Sequence, residues 1–348
     1  MNGFFTLLLL SSYDWYHPVY GSVLMYIGIV WSLLNVFYTR VAFKPKDLLY
    51  VIVLCAIPLF SPLGVGAYVA LLGGLFLLTA RTSFIDKVVK SSGGLLALHL
   101  WVFYTLFFLS FAGIYINVFD FFGFLPQRTH YAYNYRPSGL LLEPNSYCVM
   151  ILLLSYVCHH LHVSVRSITK VAAIVSILLS QSLWGLVIIP LMVSLNFGKK
   201  GILWFFTVAT PVVVLFLGFF LSSVDRIQRG LAGDELSFLI RLGNPLDFIQ
   251  RISLLGEGFN YYDWVSPSIF IAWLLIKSGV LWAIVFLFFI SSRGSLRYAS
   301  ILLLPLFFTQ PLLSNMLFWL SLRACIPTRD RFQFPRDRRE FIDHNKHL

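Results

Sequence analysis

Long apolar runs separated by short polar breaks recur along the chain from Val19 to Leu322. Most are close to the ~20 residues an α-helix needs to cross a bilayer. The pattern predicts membrane helices over 19–38, 48–60, 64–79, 94–116, 141–162, 170–183, 184–196, 201–221, 266–290 and 298–322. The two-residue alternation of a barrel strand is missing, so helices are the way for these runs to satisfy their own backbone groups in lipid. The opening segment "MNGFFTLLLLSS" is apolar but too short to cross alone, and it lacks the charged start of a signal peptide. It predicts a partial or membrane-edge helix. Within the last run, Pro305 and "TQPLLSN" (309–315) predict a bent hairpin of two short helices. Proline removes ladder hydrogen bonds, and such a break persists in lipid only where protein or a cavity re-satisfies the backbone. The expectation is one all-α, polytopic domain over 1–348, with about eleven membrane passes.

Composition points the same way. Hydrophobic residues make up 58% of the 348 and charged residues 12%, against roughly a quarter charged in soluble domains. The mean hydropathy is +0.80. The connections at 39–47, 80–92, 163–170, 197–200 and 291–297, with the tail 323–348, hold 19 of the 26 Lys and Arg residues. Basic loops stay in the cytoplasm, so these segments are expected there, as topology anchors and contacts for anionic membrane lipids rather than for nucleic acid. Cys55, Cys148, Cys158 and Cys325 form no CxxC and imply no disulfide or metal framework.

Two long segments, roughly 117–140 and 222–265, fall on the opposite side. Their cations are Arg128, Arg136, Arg226, Arg229, Arg241 and Arg251, with no Lys. An Arg fork can grip phosphate oxygens bidentately, which Lys cannot do. The plain alternative is loop charge paired with Asp225, Asp234, Glu235, Asp247, Glu257 and Asp263. The spans starting near Leu141 and Ser266 both run inward, so their positive ends face outward, with Pro144 and Pro267 at first-turn positions. Asn145 and Ser146 can satisfy free N–H groups there. Such ends suit an anion, and two of them with Arg forks suit a pyrophosphate whose lipid tail lies in the bilayer. Glu143 reads either as an acid stabilising its helix dipole, as an orienter of Arg136, or as a base for a sugar hydroxyl. Lys277, roughly 15 Å along its helix from Pro267, should face a cavity or a polar partner.

Other chemistry is thin. The chain contains no GxxxxGK[ST], GxGxxG, GxSxG or DxD. "CHHLH" (158–162) places His159 and His162 on one face without an evident third ligand, and interfacial packing explains it better than a metal. "GEGF" (256–259) reads as a tight external turn, with Asn260, Tyr261 and Tyr262 available to sugars. Tyr131, Tyr133 and Tyr135 beside Arg136 could stack on sugar rings.

"RPSGLLLEPNSYC" (136–148) resembles the R-x-S-G-x-x-x-E-P-x motif of bacterial O-antigen polymerases and related exopolysaccharide repeat-unit polymerases. "SFLIRLG" (237–243), "LLGEGFNYYDW" (254–264) and "IKSGVLWAIVF" resemble that family's second external loop and following span. "LLSQSLWGLVIIPLMVSL" between them resembles its S-x-(S/T)-x-G helix pair, and the likeness runs in order from about 95 to 322. The resemblance implies a GT-C-like, metal-independent, inverting glycosyltransferase without a cofactor. It would join oligosaccharide repeats on undecaprenyl pyrophosphate, as donor and acceptor, at the periplasmic face of the inner membrane. A chain-length regulator membrane protein is an implied partner. By position, Arg136 and Arg241 match the family's loop arginines and Glu143 its motif acid. Arg226, Arg229 and Arg251 are second-rank clamps; Arg128, Tyr135, Asn145, Asn260 and Tyr262 are candidate substrate contacts. "PN" replaces the frequent "PS", and Lys277 stands where an acid is frequent.

Two rivals follow. An O-antigen ligase of the same superfamily brings a His in the second large loop, and residues 222–265 contain none. A lipid-linked oligosaccharide transporter often shows inverted repeats, and no repeat is visible here.

Overall fold

The computed structural model describes residues 3–12, 18–38, 45–60, 65–80, 83–114, 138–141, 144–180, 182, 185, 188–197, 228, 249–257, 270–292 and 315–325. The described residues form helices α1 (Gly3–Leu10), α2 (Pro18–Tyr38), α3 (Pro45–Ala56), α4 (Val65–Thr79), α5 (Ser83–Lys90), α6 (Ser92–Phe111), α7 (Pro144–His160), α8 (Ser167–Leu179), α9 (Ile188–Phe197), α10 (Phe270–Ser291) and α11 (Met316–Cys325), with no strand among them. A 3₁₀ turn, Ile57–Phe60, closes α3. These elements follow the apolar runs closely, and α1 is the short helix expected of the opening segment. One helix lies where a connection was expected. The basic segment 80–92 contains α5, which buries Ile85, Val88 and Val89 and leaves Lys87 and Lys90 outward. Its apolar residues recur at helical spacing, and the charges between them hide that in a search for long runs.

The interior is mostly apolar, with a few polar side chains drawn into it. α7 is buried on every side from Tyr147 to Cys158, and α11 is buried from Met316 to Ala324. These two helices carry Ser155, Ser321 and Arg323 into the interior. α2 lies at the rim. Val23, Ile27, Val30, Leu34 and Phe37 form its exposed stripe, while Met25, Ile29, Ser32 and Val36 pack inward. Apolar residues are also exposed on α3 (Leu48, Leu49, Ile52), α8 (Ile168, Val171, Val175) and α10 (Ile284, Leu287, Phe288). Contiguous apolar faces of this kind are rare on soluble monomers. Two helical stretches, Ser83–Ser110 and Leu274–Ser291, are long and apolar enough to cross a membrane.

Contacts between termini set the helix directions. Arg323, at the end of α11, donates to the Ala80 carbonyl and pairs with Asp86 at 3.2 Å. Ser92 Oγ, opening α6, lies 3.3 Å from Cys158 Sγ near the end of α7. The basic segments 80–92 and 163–170 and the start of the basic tail therefore gather at one end of the bundle. At the other end α7 begins and α8 stops, with Cys148 Sγ 3.1 Å from Ser180 Oγ. α10 runs antiparallel to α3, placing Phe289 against Tyr50 and Trp282 Nε1–H on the Leu54 carbonyl at 2.9 Å. Lys277 and Gly279 thus lie toward the Ile57–Phe60 end of α3, away from the basic end. The second limb of the expected hairpin is α11, capped where Asn315 Oδ1 accepts the Leu317 N–H at 2.9 Å. Its first limb, like the span 201–221, lies outside the described residues.

Candidate functional site

The "SGLL" part of the motif makes the turn into α7. Gly139 adopts φ +60, a region that favours glycine. The Leu141 N–H bonds the Ser138 carbonyl at 3.1 Å, while Ser138 Oγ–H donates to the Leu141 carbonyl at 2.6 Å. A Cβ on Gly139 would stand 3.3 Å from the Tyr147 ring, which stacks on Phe103 with centroids 4.6 Å apart. The turn is thereby pinned to α6 and α7. Helix α7 then opens at Pro144, whose missing N–H and fixed φ suit a first position.

Asn145 meets the S-x-S segment. Its Oδ1 accepts the Ser182 hydroxyl at 2.5 Å, and Ser182 Oγ accepts the Gly185 N–H at 3.4 Å. Gly185 packs on Ile177, where a Cβ would lie 3.1 Å from the side chain. Two motifs 37 residues apart are therefore joined beside the start of α7. Asn145 spends its carbonyl oxygen on this junction.

The second cluster centres on Glu257. Its carboxylate accepts two bonds from Arg251, from Nε at 2.8 Å and from Nη2 at 2.6 Å. Lys277 Nζ lies 3.6 Å from Glu257 Oε2 with its side chain only 2% exposed. One carboxylate is shared by two cations, and Glu257 is the polar partner that a buried lysine calls for. The bidentate Arg251 contact, reinforced by the Arg251 and Lys277 charges and opposed by burial, holds the Glu257 carboxyl below its ordinary value.

A backbone crossing places these groups. α10 breaks at Gly279 (φ 81, ψ 164), and the loop 252–257 lies in the break. Glu257 N–H bonds the Ile276 carbonyl at 2.8 Å, Val280 N–H the Ser253 carbonyl at 3.1 Å, and Leu281 N–H the Leu254 carbonyl at 3.1 Å. Backbone groups freed by the kink are thus re-satisfied by protein. Gly256 has φ +79, and a Cβ on it would overlap the Lys277 carbonyl; one on Gly279 would sit 2.5 Å from Gly256 N and the Leu254 carbonyl oxygen. The "GEG" turn and the "KSG" kink are two halves of one contact.

Of the candidate residues, Asn145 and Arg251 are described, and each is engaged by its own protein partner. Arg128, Tyr135, Arg136, Glu143, Arg226, Arg229, Arg241, Asn260 and Tyr262 lie outside the described residues. Sequence reasoning missed Glu257 and Ser182 as site residues, although Lys277 was already expected to face a cavity or a polar partner. No group of three His, Cys, Asp or Glu that could hold a metal occurs among the described residues. No family model, no curated protein and no solved structure matches the chain.

Proposed function

We propose that the chain is a polytopic glycosyltransferase of the bacterial inner membrane, with about eleven passes. It joins undecaprenyl-pyrophosphate-linked oligosaccharide repeats into O-antigen or a related surface polysaccharide. The observation that carries the reading is the Arg251–Glu257–Lys277 cluster, seated in a helix break at the end of an apolar-faced bundle away from the basic segments. With the basic end in the cytoplasm, the cluster and the start of α7 face the periplasm, where the lipid-linked repeat is presented. Arg136 and Arg241 act as pyrophosphate clamps, offsetting the charge that develops as the sugar–pyrophosphate bond breaks. The acceptor hydroxyl takes the place of the pyrophosphate at the anomeric carbon with inversion. Glu143 orients Arg136. Arg251, its fork occupied by Glu257, positions the loop on α10.

The test is the length distribution of lipid-linked glycans in a strain lacking this chain. Single repeats capping the lipid A core support polymerisation. Long polymer left on the lipid carrier makes the protein a ligase, and single repeats retained at the inner leaflet make it a transporter.

A further inference from the structure

A cavity of about 310 Å³ lies at the basic end, remote from the Glu257 cluster, lined by Ser155, His159, His162, Ser164 and Lys170 among others. Among the described residues, no carboxylate lines it, and the ionisable groups that do are a lysine, two imidazoles and the Cys158 thiol. Two of these side chains occupy positions that local structure disfavours. His162 ends α7 with φ 52, where Val163 N–H reaches back to the Cys158 carbonyl at 2.9 Å. That left-handed position usually belongs to glycine, and a side chain there costs about 1 kcal/mol. Lys170 stands in the first turn of α8, beside a helix end that has no side-chain cap and already carries partial positive charge. A lysine at the positive end of a helix gains from an anion in the cavity, and Ser155, 4% exposed, lines the same cavity. Lysine, histidine and serine donors suit the several acceptor oxygens of a phosphate.

We propose that this cavity binds a phosphate group, held by Lys170, His162 and His159 with the Ser155 and Ser164 hydroxyls. The phosphate is carried by an anionic lipid of the adjoining leaflet or by a small phosphate ester in solution. The lipid source rests on the membrane reading above; neither source depends on polymer formation.

The test uses the full chain purified in detergent, with thermal unfolding and native mass spectrometry during titration with phosphatidylglycerol, phosphatidylcholine or inorganic phosphate. The wild type is expected to gain stability and adducts with phosphatidylglycerol, inorganic phosphate or both. A response to phosphatidylglycerol alone identifies a lipid headgroup, and a response to inorganic phosphate identifies a soluble ester. His162→Gly, which relieves the left-handed residue, should be at least as stable as wild type without ligand yet bind about tenfold more weakly. Lys170→Gln should behave alike and serves if the other variant folds poorly. The proposal is overturned if neither probe shifts the wild type, if phosphatidylcholine acts as strongly as phosphatidylglycerol, or if both variants keep wild-type affinity.

Discussion

Arg323 and Lys277 are both buried cations near an end of the bundle, and they are held in different ways. Arg323 finishes a helix, and its guanidinium reaches the Ala80 carbonyl and Asp86, tying α11 to the end of α4 and to α5. Fixing that end requires little beyond a long side chain and a nearby carbonyl. Lys277 sits within a helix, and it meets its acid only because the helix breaks two residues later and a loop enters the break. Two positive-φ glycines, three backbone hydrogen bonds between segments and a shared carboxylate are committed to one crossing. A protein tolerates that much special backbone where it holds a particular arrangement of charge. The basic end organises the chain, and the Glu257 end organises charge.

The sharpest way to break this comparison is at the crossing. Gly279→Val combines a disfavoured φ with backbone overlap and should destabilise by about 4 kcal/mol or prevent recovery of folded protein. Gly113→Ala also meets a positive φ, of +75, but in open space, and should lose about 1 kcal/mol. Thermal unfolding in detergent measures both, and equal effects would remove the special status of the crossing. Next in size is Glu257→Gln, which leaves Lys277 buried beside a neutral amide. A loss of about 2 kcal/mol is expected, most of it from Lys277 because the Arg251 contact is partly exposed. Lys277→Met should recover part of that loss in the Glu257→Gln background.

A smaller effect is expected at Ser182. Ser182→Ala should cost about 1 kcal/mol, and a double-mutant cycle with Asn145→Ala should show the two side chains coupled. Acid provides the mildest probe. The Glu257 carboxyl is held below its ordinary value by Arg251. Its contribution is therefore fully present above about pH 4.3, the ordinary value for a glutamate, and is lost as pH falls through the lower folded value. The stability gap between wild type and Glu257→Gln should be constant from pH 7 to 5 and shrink only below about pH 4.3. A gap that closes nearer neutrality would contradict the contacts drawn for Glu257.

The helices were largely legible because apolar run length speaks directly to them: α2, α3, α4, α6, α7 and α10 fall within a few residues of the expected spans. α5 was hidden because alternating lysines interrupt its apolar face. Pro144 marked the start of α7, while Gly139, which makes the turn before it, was not singled out. The partnership of Glu257 with Lys277 was not legible. Twenty residues separate them, and an acid in a loop of mixed charge carries no sign of which cation it will meet. The available clue was the pairing of two glycine steps, "GEG" and "KSG", since close passage of two backbones needs glycine on both sides. Ser182 and Asn145 were each noticed within separate motifs, but spacing alone does not bring a helix start and a helix break together.

The central claim, that the Glu257 end performs the chemistry while the basic end anchors the chain, is tested most directly by the surface-polysaccharide ladder of cells expressing single variants. Arg136→Ala and Arg241→Ala are expected to reduce the ladder to single repeats while the protein remains inserted at wild-type level. Arg166→Ala, an exposed cation at the basic end, is expected to leave the ladder intact. A normal ladder from both Arg136→Ala and Arg241→Ala, with Arg166→Ala collapsing it instead, would contradict the account.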